Sequence, residues 1–300
     1  MTNATPYAPA SDRTLKGKTL FITGGSRGIG LAIAKRAAAD GANITIAAKT
    51  SKPHAKLPGT IHTAAAEIEE AGGQALAVQM DLRNDAEVAD AVAQTTDKFG
   101  GIDILINNAS AVALGGVDTV PMRRIDLMHQ INLRGTILAA RTCLPHLKNS
   151  ANPHILTLCP PPSLDPKWYK GTLPYTLAKM GMSFATIGLA EDFREYGIAA
   201  NALWPRTAID TAAIRHELGG DAMIKHCRTT DIVADAAHAI LTRGSKNCTG
   251  NFFLDDDTLV GEGVDDLGPY AIEPGQPLML DFYLDSGPDG KMDGYLKMPL

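Results

Sequence analysis

The sequence predicts a doubly wound α/β fold: a parallel sheet of about seven strands with helices on both faces. Short β-rich apolar runs alternate with helical patterns from Lys18 to Leu254. The runs are continuous rather than alternately polar, as expected of strands buried on both faces. Strand–helix units in series build a parallel sheet through right-handed crossovers. The first run also leads through a glycine-rich turn into a helix.

In order, the strand runs are KTLFIT (18–23), NITIAA (43–48), ALAVQM (75–80), IDILIN (102–107), HILTLC (154–159), IAANAL (198–203) and NFFL (251–254). Helical patterns occupy Ile29–Ala39, Thr60–Ala71, Ala86–Phe99, a long Arg123–Leu147, Pro174–Tyr196 and Ile232–Thr242. There is no internal repeat, so residues 1–300 are expected to form one domain with a core of about 15–255. Two stretches break the rhythm. KTSKPHAKLPG (49–59) is a long basic loop containing Lys49, Lys52 and Lys56. Within an acidic extension at 256–300, residues 261–300 are rich in Gly, Pro and Asp but interleave Tyr270, Phe282 and Tyr283. Such aromatics are poor formers of disorder, so an irregular, docked extension is expected, on the body or on a neighbouring subunit.

Hydrophobic residues make up 45% and charged residues 20%, the mix of a soluble globular protein. No apolar run approaches the roughly 18 residues of a membrane span. The N-terminal MTNATPYAPASDR reads neither as a secretory signal nor as a transit peptide. Cys143, Cys159, Cys227 and Cys248 are scattered without metal-ligand spacing. Reduced thiols in the cytoplasm are the simplest account. Net charge is −5, yet Asp255–Leu300 alone holds 11 acidic and 2 basic residues. The rest is mildly positive, which suits an anionic cofactor better than nucleic acid, since no clustered basic patch exists. No HExxH or comparable pair suggests a metal.

The first strand runs into Thr23-Gly24-Gly25-Ser26-Arg27-Gly28-Ile29-Gly30. The glycines permit a tight turn and close approach to a pyrophosphate, which the helix N-terminus attracts. Further on come Asp81 after the third strand, Asn107-Asn108-Ala109-Ser110 after the fourth, Asn132 in the long helix, Tyr175-x-x-x-Lys179, and Pro205 after the sixth strand. Lys179 lies one helical turn from Tyr175, on the same face. A free tyrosine titrates near ~10, and a cation beside it favours the tyrosinate. The pair is thereby suited to proton exchange with an alcohol or carbonyl oxygen.

In combination these motifs resemble the short-chain dehydrogenase/reductase family over roughly residues 15–255. Two positions depart from it: Ser110 and Arg206 stand where the family usually has glycine. The resemblance implies a Rossmann-type domain, with Asp81 at the adenine and Lys179 also holding the nicotinamide ribose. It gives Asn132 a water relay behind the lysine. Segments such as IAAKTSKPHAKLPGTIHTAA and YAIEPGQPL resemble a subgroup whose members often carry a C-terminal sterol-carrier domain. No such domain is expected within residues 1–300.

NAD-preferring members end the second strand with an acid. Ala48-Lys49 stands here instead, and Arg27 lies inside the turn. Two cations and no acid favour the 2′-phosphate of NADP over NAD. The family also places a serine just after the fifth strand, to donate to the substrate oxygen. Counted from the strand, that position is Pro160, which has no donor. Counted back from Tyr175, it falls near Ser163, which Pro160-Pro161-Pro162 stiffens into place. Ser163 is therefore the candidate donor. Residues 208–230 are expected to form a lid, with Trp168, Tyr169 and Trp204 as candidate pocket lining.

An NADP-dependent oxidoreductase interconverting an alcohol and a ketone or aldehyde is the leading expectation. A non-catalytic NADP-binding regulator that has lost the serine is the alternative, and an NADP-requiring isomerase or dehydratase a third. The partners expected are a small carbonyl or alcohol substrate and copies of the chain itself, as a homodimer or homotetramer, because the two long helices are apolar over more than one sheet face can cover.

Overall fold

A computed structural model describes residues 5–53, 58–215 and 220–298. Its elements run β1 (Thr19–Thr23), α1 (Gly28–Ala39), β2 (Asn43–Ala48), α2 (Ile61–Glu70), β3 (Gln74–Gln79), α3 (Asp85–Phe99) and β4 (Ile104–Asn107). Then follow α4 (Met122–Met128), a π-helical turn (His129–Arg134), α5 (Gly135–Leu147), β5 (His154–Thr157), α6 (Leu173–Asp192) and β6 (Ala199–Trp204). The remainder comprises α7 (Asp221–Ile224), α8 (Asp231–Leu241), β7 (Phe252–Leu254), α9 (Asp255–Gly261), β8 (Leu278–Met279) and β9 (Tyr295–Leu296).

Strands β1 to β7 form one parallel sheet in the order β3-β2-β1-β4-β5-β6-β7. Successive side chains alternate across it. Ile22, Ile46 and Ile106 pack against Ile33 of α1, Ile61 and Ile68 of α2 and Ile240 of α8. Phe21, Leu105 and Ile155 face the other way, onto Val88 and Val92 of α3 and Ala139 and Leu147 of α5. With both faces covered, each strand needs the continuous apolar run seen in the sequence. Truncating one such residue, as in Leu105→Ala, costs about 2–5 kcal/mol.

The chain leaves β3 at one edge, returns to the middle, and builds outward through β4 to β7. Strand order thus reverses between β1 and β4, and a ligand crevice opens beyond their carboxyl ends. Register brings Thr23, Ala47, Asn107, Thr157 and Ala202 level across five strands there.

Three elements differ from expectation. The long Arg123–Leu147 helix is interrupted by the π-helical turn, which continues the 3.6-residue pattern closely enough to be invisible in sequence. Strand β5 stops at Thr157, because the proline run that follows cannot extend a ladder. Helix α6 ends at Asp192, ahead of a 3₁₀ turn at Arg194–Tyr196.

The acidic tail lies back over the body. Thr207 bridges Leu280, and Arg228 bridges Ala271. Buried Arg206 anchors it. Its N–H donates to Asp255 Oδ1 (2.8 Å), its Nε to Asp256 Oδ2 (2.6 Å), and its Nη1 to the carbonyl of Ser286 (3.3 Å). Asp257 pairs with Nη2 at 2.6 Å. Tyr270 adds a second anchor, donating to Asp235 of α8 at 2.7 Å.

Candidate active site

The turn after β1 is held against the end of β4. Gly24 has φ +70°, and a Cβ there would come within 2.8 Å of Ala109 Cα. A Cβ on Gly30 would meet the Asn108 amide at 2.5 Å. That amide donates to the carbonyls of Thr23 (3.0 Å) and Gly24 (3.1 Å), stitching the two loops together. Only glycine fits either place. Helix α1 opens at Gly28, and its N-cap residue Arg27 makes no side-chain capping bond. Its first N–H groups are thus presented to the cleft as an anion site.

The cleft beyond measures about 430 Å³. Of the cofactor residues expected from sequence, Gly24, Ser26, Arg27, Gly28, Ile29, Lys49, Asp81, Asn108 and Ala109 line it. Gly25 and Gly30 lie behind, where their missing side chains make room. This cradle of glycine, helix N-terminus and cations fits a dinucleotide.

The charged lining is already networked. Arg27 donates from Nε to the carbonyl of Pro58 (2.8 Å) and from Nη2 to that of Gly59 (3.0 Å). Lys49 is well exposed and pairs with Asp81 at 3.2 Å. Asp81 also receives Arg83 at 2.6 Å, and its carboxyl is held well below the usual range, first by Arg83. Lys56 and residues 216–219 of the expected lid lie outside the described residues.

A smaller cavity of about 170 Å³ adjoins the cleft and shares Ile29, Asn108, Ser110, Val112, Thr211 and Ala213 with it. Tyr175, Lys179, Trp204 and Pro205 line this second space, with Leu114, Leu158, Ile209 and Ile214. Asp281 and Phe282 of the tail complete its wall. Tyr175 is buried, and its ring meets that of Phe282 edge-on at 6.2 Å. Lys179 Nζ donates to the carbonyl of Leu158 (2.9 Å) and lies 5.0 Å from the centre of the Trp204 ring.

Burial governs the protonation of both. It pushes Lys179 down to about 8, against the opposing pull of Cys159 and Asp281. It drives Tyr175 well above the usual phenol value, with Tyr283 and Asp281 adding to the rise. The expected depression of Tyr175 joins Lys179 to the charge of an oxidised nicotinamide, and burial of the phenol works against it.

Two candidates are placed otherwise than their sequence roles suggested. Ser163 is not among the residues lining the cavity; its hydroxyl accepts from the N–H of Asp165 (3.3 Å), and Tyr169 clamps its carbonyl (2.7 Å). Proline stiffens the segment but carries it outward. Asn132, fully buried in the π-helical turn, clasps Ala111 instead: Oδ1 accepts its N–H (2.7 Å) and Nδ2 donates to its carbonyl (3.1 Å). Asn132 thus fixes the segment after β4 that forms one cavity wall. Of the aromatic trio, Trp204 alone lines the cavity, while Trp168 meets Tyr283 edge-on at 5.7 Å.

Sequence reading missed Asp281. The neighbouring Phe282 and Tyr283 marked the segment as docked, but nothing in the tail's composition said where.

Fold and site together define a dinucleotide-binding oxidoreductase. The chain belongs to the short-chain dehydrogenase family, whose model matches residues 18–218. Within that family it is similar to hydroxysteroid dehydrogenase-like protein 2 of Danio rerio, at 56% identity over 275 residues. The match covers 92% of this chain and 66% of that protein. The Homo sapiens protein of the same name is 52% identical over 275 residues, covering 92% and 65%. This chain therefore spans just under two thirds of those relatives. Among solved structures, a dehydrogenase from Xanthomonas campestris superposes with a TM-score of 0.88 at 56% identity, covering 91% of this chain and all of that one. A short chain dehydrogenase from Mycobacterium thermoresistibile gives 0.88 at 53%, covering 92% and 99%. Among the described residues, no helix is long and apolar enough to cross a membrane.

Proposed function

We propose that the chain is an NADP-dependent oxidoreductase that interconverts an alcohol and a ketone or aldehyde, with Tyr175 as general acid and base. The observation that carries this reading is the shared wall. The cavity holding Tyr175 and Lys179 opens directly onto the dinucleotide cleft.

A bound nicotinamide supplies or accepts the hydride. In reduction, Tyr175 Oη would give its proton to the carbonyl oxygen. Lys179 sits one turn along, positively charged at neutral pH, and stabilises the tyrosinate left behind. Burial keeps the phenol protonated, the form that gives up a proton in reduction. The apolar walls point to an apolar carbonyl compound.

The preference for NADP rests on Ala48 at the end of β2 and on Arg27 and Lys49 in the cleft wall. Each cation keeps N–H donors beyond those its present partners use. The four cysteines are unpaired and buried, which supports a reducing, cytoplasmic setting.

Tyr175→Phe is the test. Carbonyl reduction should fall by at least about 10³-fold while NADPH binding persists, since proton transfer alone contributes on the order of 10²–10⁴. Retained turnover would place the acid elsewhere. One observation favours a second reading, a non-catalytic NADP-binding regulator: neither Pro160 nor Ser163 offers a donor to the cavity. Tight NADPH binding without turnover of any ketone would support it.

A further inference from the structure

Resting on the reading above, a substrate oxygen beside Tyr175 would lack the second hydrogen-bond donor expected of the loop after β5. Yet the cavity contains a polar side chain with no assigned task. Asp281 lines it together with Tyr175 and Lys179.

Its position is fixed from both sides. The N–H of Asp281 donates to the carbonyl of Arg206 (2.9 Å), and Ala208 donates to Met279 (2.8 Å), so the tail runs as a short ladder beside the segment leaving β6. The next residue, Phe282, packs on the Tyr175 ring, and its carbonyl accepts from Trp204 Nε1 (3.0 Å). One carboxyl oxygen, Oδ1, accepts the N–H of Phe282 at 2.7 Å. Among the described residues, Oδ2 makes no hydrogen bond, and no cation lies within ion-pair distance of the carboxyl. Lys179 is committed to Leu158 and Trp204. A carboxyl in an apolar cavity without a counter-ion favours the neutral acid, and a neutral acid is a donor.

We propose that Asp281, brought in by the C-terminal tail, is the missing donor: as a carboxylic acid it hydrogen-bonds the substrate oxygen alongside the Tyr175 hydroxyl. Asp281 keeps its proton throughout; the proton that reaches the product comes from Tyr175. The two donors together stabilise the negative charge that hydride arrival places on that oxygen.

The titratable groups facing Asp281 agree. Burial pushes the carboxyl up to about 7, and Asp255 adds to the rise, while the Phe282 N–H and Lys179 oppose it. Tyr175, Tyr283 and Cys227, each raised first by its own burial, are raised further by an ionised Asp281. The acid form is present below pH about 7 and is lost above it. Reduction should therefore be fastest on the acid side and decline as pH rises through that value, long before Tyr175 ionises.

Two measurements test this on the full chain. In protein carrying [4-¹³C]aspartate, the resonance that disappears in Asp281→Asn should titrate near 7, whereas a midpoint in the ordinary aspartate range overturns the proposal without any turnover assay. With NADPH and cyclohexanone, Asp281→Ala should lose about 10²-fold in rate, the usual loss for one such donor. Asp281→Asn retains an N–H donor, so it should recover most of that rate and lose the decline near neutral pH. An Asp281→Ala variant at full rate, or an Asn variant as slow as the Ala one, sinks the proposal. Tyr175→Phe run alongside separates the layers: if it stays active the acid assignment fails, while an inactive Phe variant beside an unimpaired Ala variant rejects Asp281 alone.

Discussion

Ser163 and Asp281 show how far single residues can be read. Tyr175, Lys179 and the glycines occupy motifs whose spacing fixes their surroundings, so the sequence located them. Ser163 was inferred by counting along a proline run, and the run's direction cannot be counted. Ser163→Ala should leave the reduction rate within about twofold of the parent, because its hydroxyl serves only the local turn at Asp165. Cofactor choice also belongs to this scale. Lys49→Ala should weaken NADPH by about tenfold, one charge-assisted contact, and leave NADH nearly unchanged in a fluorescence titration. Equal losses for both would assign Lys49 to Asp81 rather than to a phosphate.

At the scale of elements, the strands were legible because burial on both faces leaves an unbroken apolar signature. The π-helical turn was not, since its extra residue hardly disturbs that signature. What it accomplishes is the inward placement of Asn132. Asn132→Ala strands the N–H and carbonyl of Ala111, and should lower stability by roughly 1–3 kcal/mol in denaturant unfolding, with two partly buried groups unpaired. Arg206 makes a comparable case at the tail. Where the resemblance led one to expect glycine, a buried arginine meets three consecutive aspartates, and burial with Asp256 pushes Asp255 upward. Arg206→Ala takes the guanidinium from Asp256 and Asp257, leaving buried Asp256 with Arg228 alone at 3.7 Å, and should cost about 3–5 kcal/mol. The tail would loosen with it, so ketone reduction should suffer more than NADPH affinity; an intact rate would detach the tail from the chemistry.

Across the whole molecule, exposed apolar side chains are spread over several segments, Leu164, Met122, Val117 and Val260 among them, but four lie on two long helices. Ile137 of α5 and Leu177, Phe184 and Ile187 of α6 are each more than 40% exposed, and the three on α6 are spaced seven and three residues apart, on one helical face. We propose that α5 and α6 pair with their counterparts in a second copy across a twofold axis. Sedimentation at micromolar concentration should give a dimer or tetramer, and Phe184→Glu with Ile187→Glu should shift it toward monomer. A monomeric parent protein would contradict the pairing.

The tail's place in the cavity wall also has a meaning in time. Every residue lining the dinucleotide cleft precedes Ile214, whereas the substrate cavity waits for Asp281 and Phe282. Because synthesis runs from the N-terminus and folding can begin before it ends, a nascent chain would acquire its nucleotide site well before its chemistry. A half-made molecule could hold a reduced cofactor yet have no finished chamber in which to spend it. Proteolysis between α9 and β8 would run the same order in reverse, opening the wall of the Tyr175 cavity while sparing the residues that line the larger cleft.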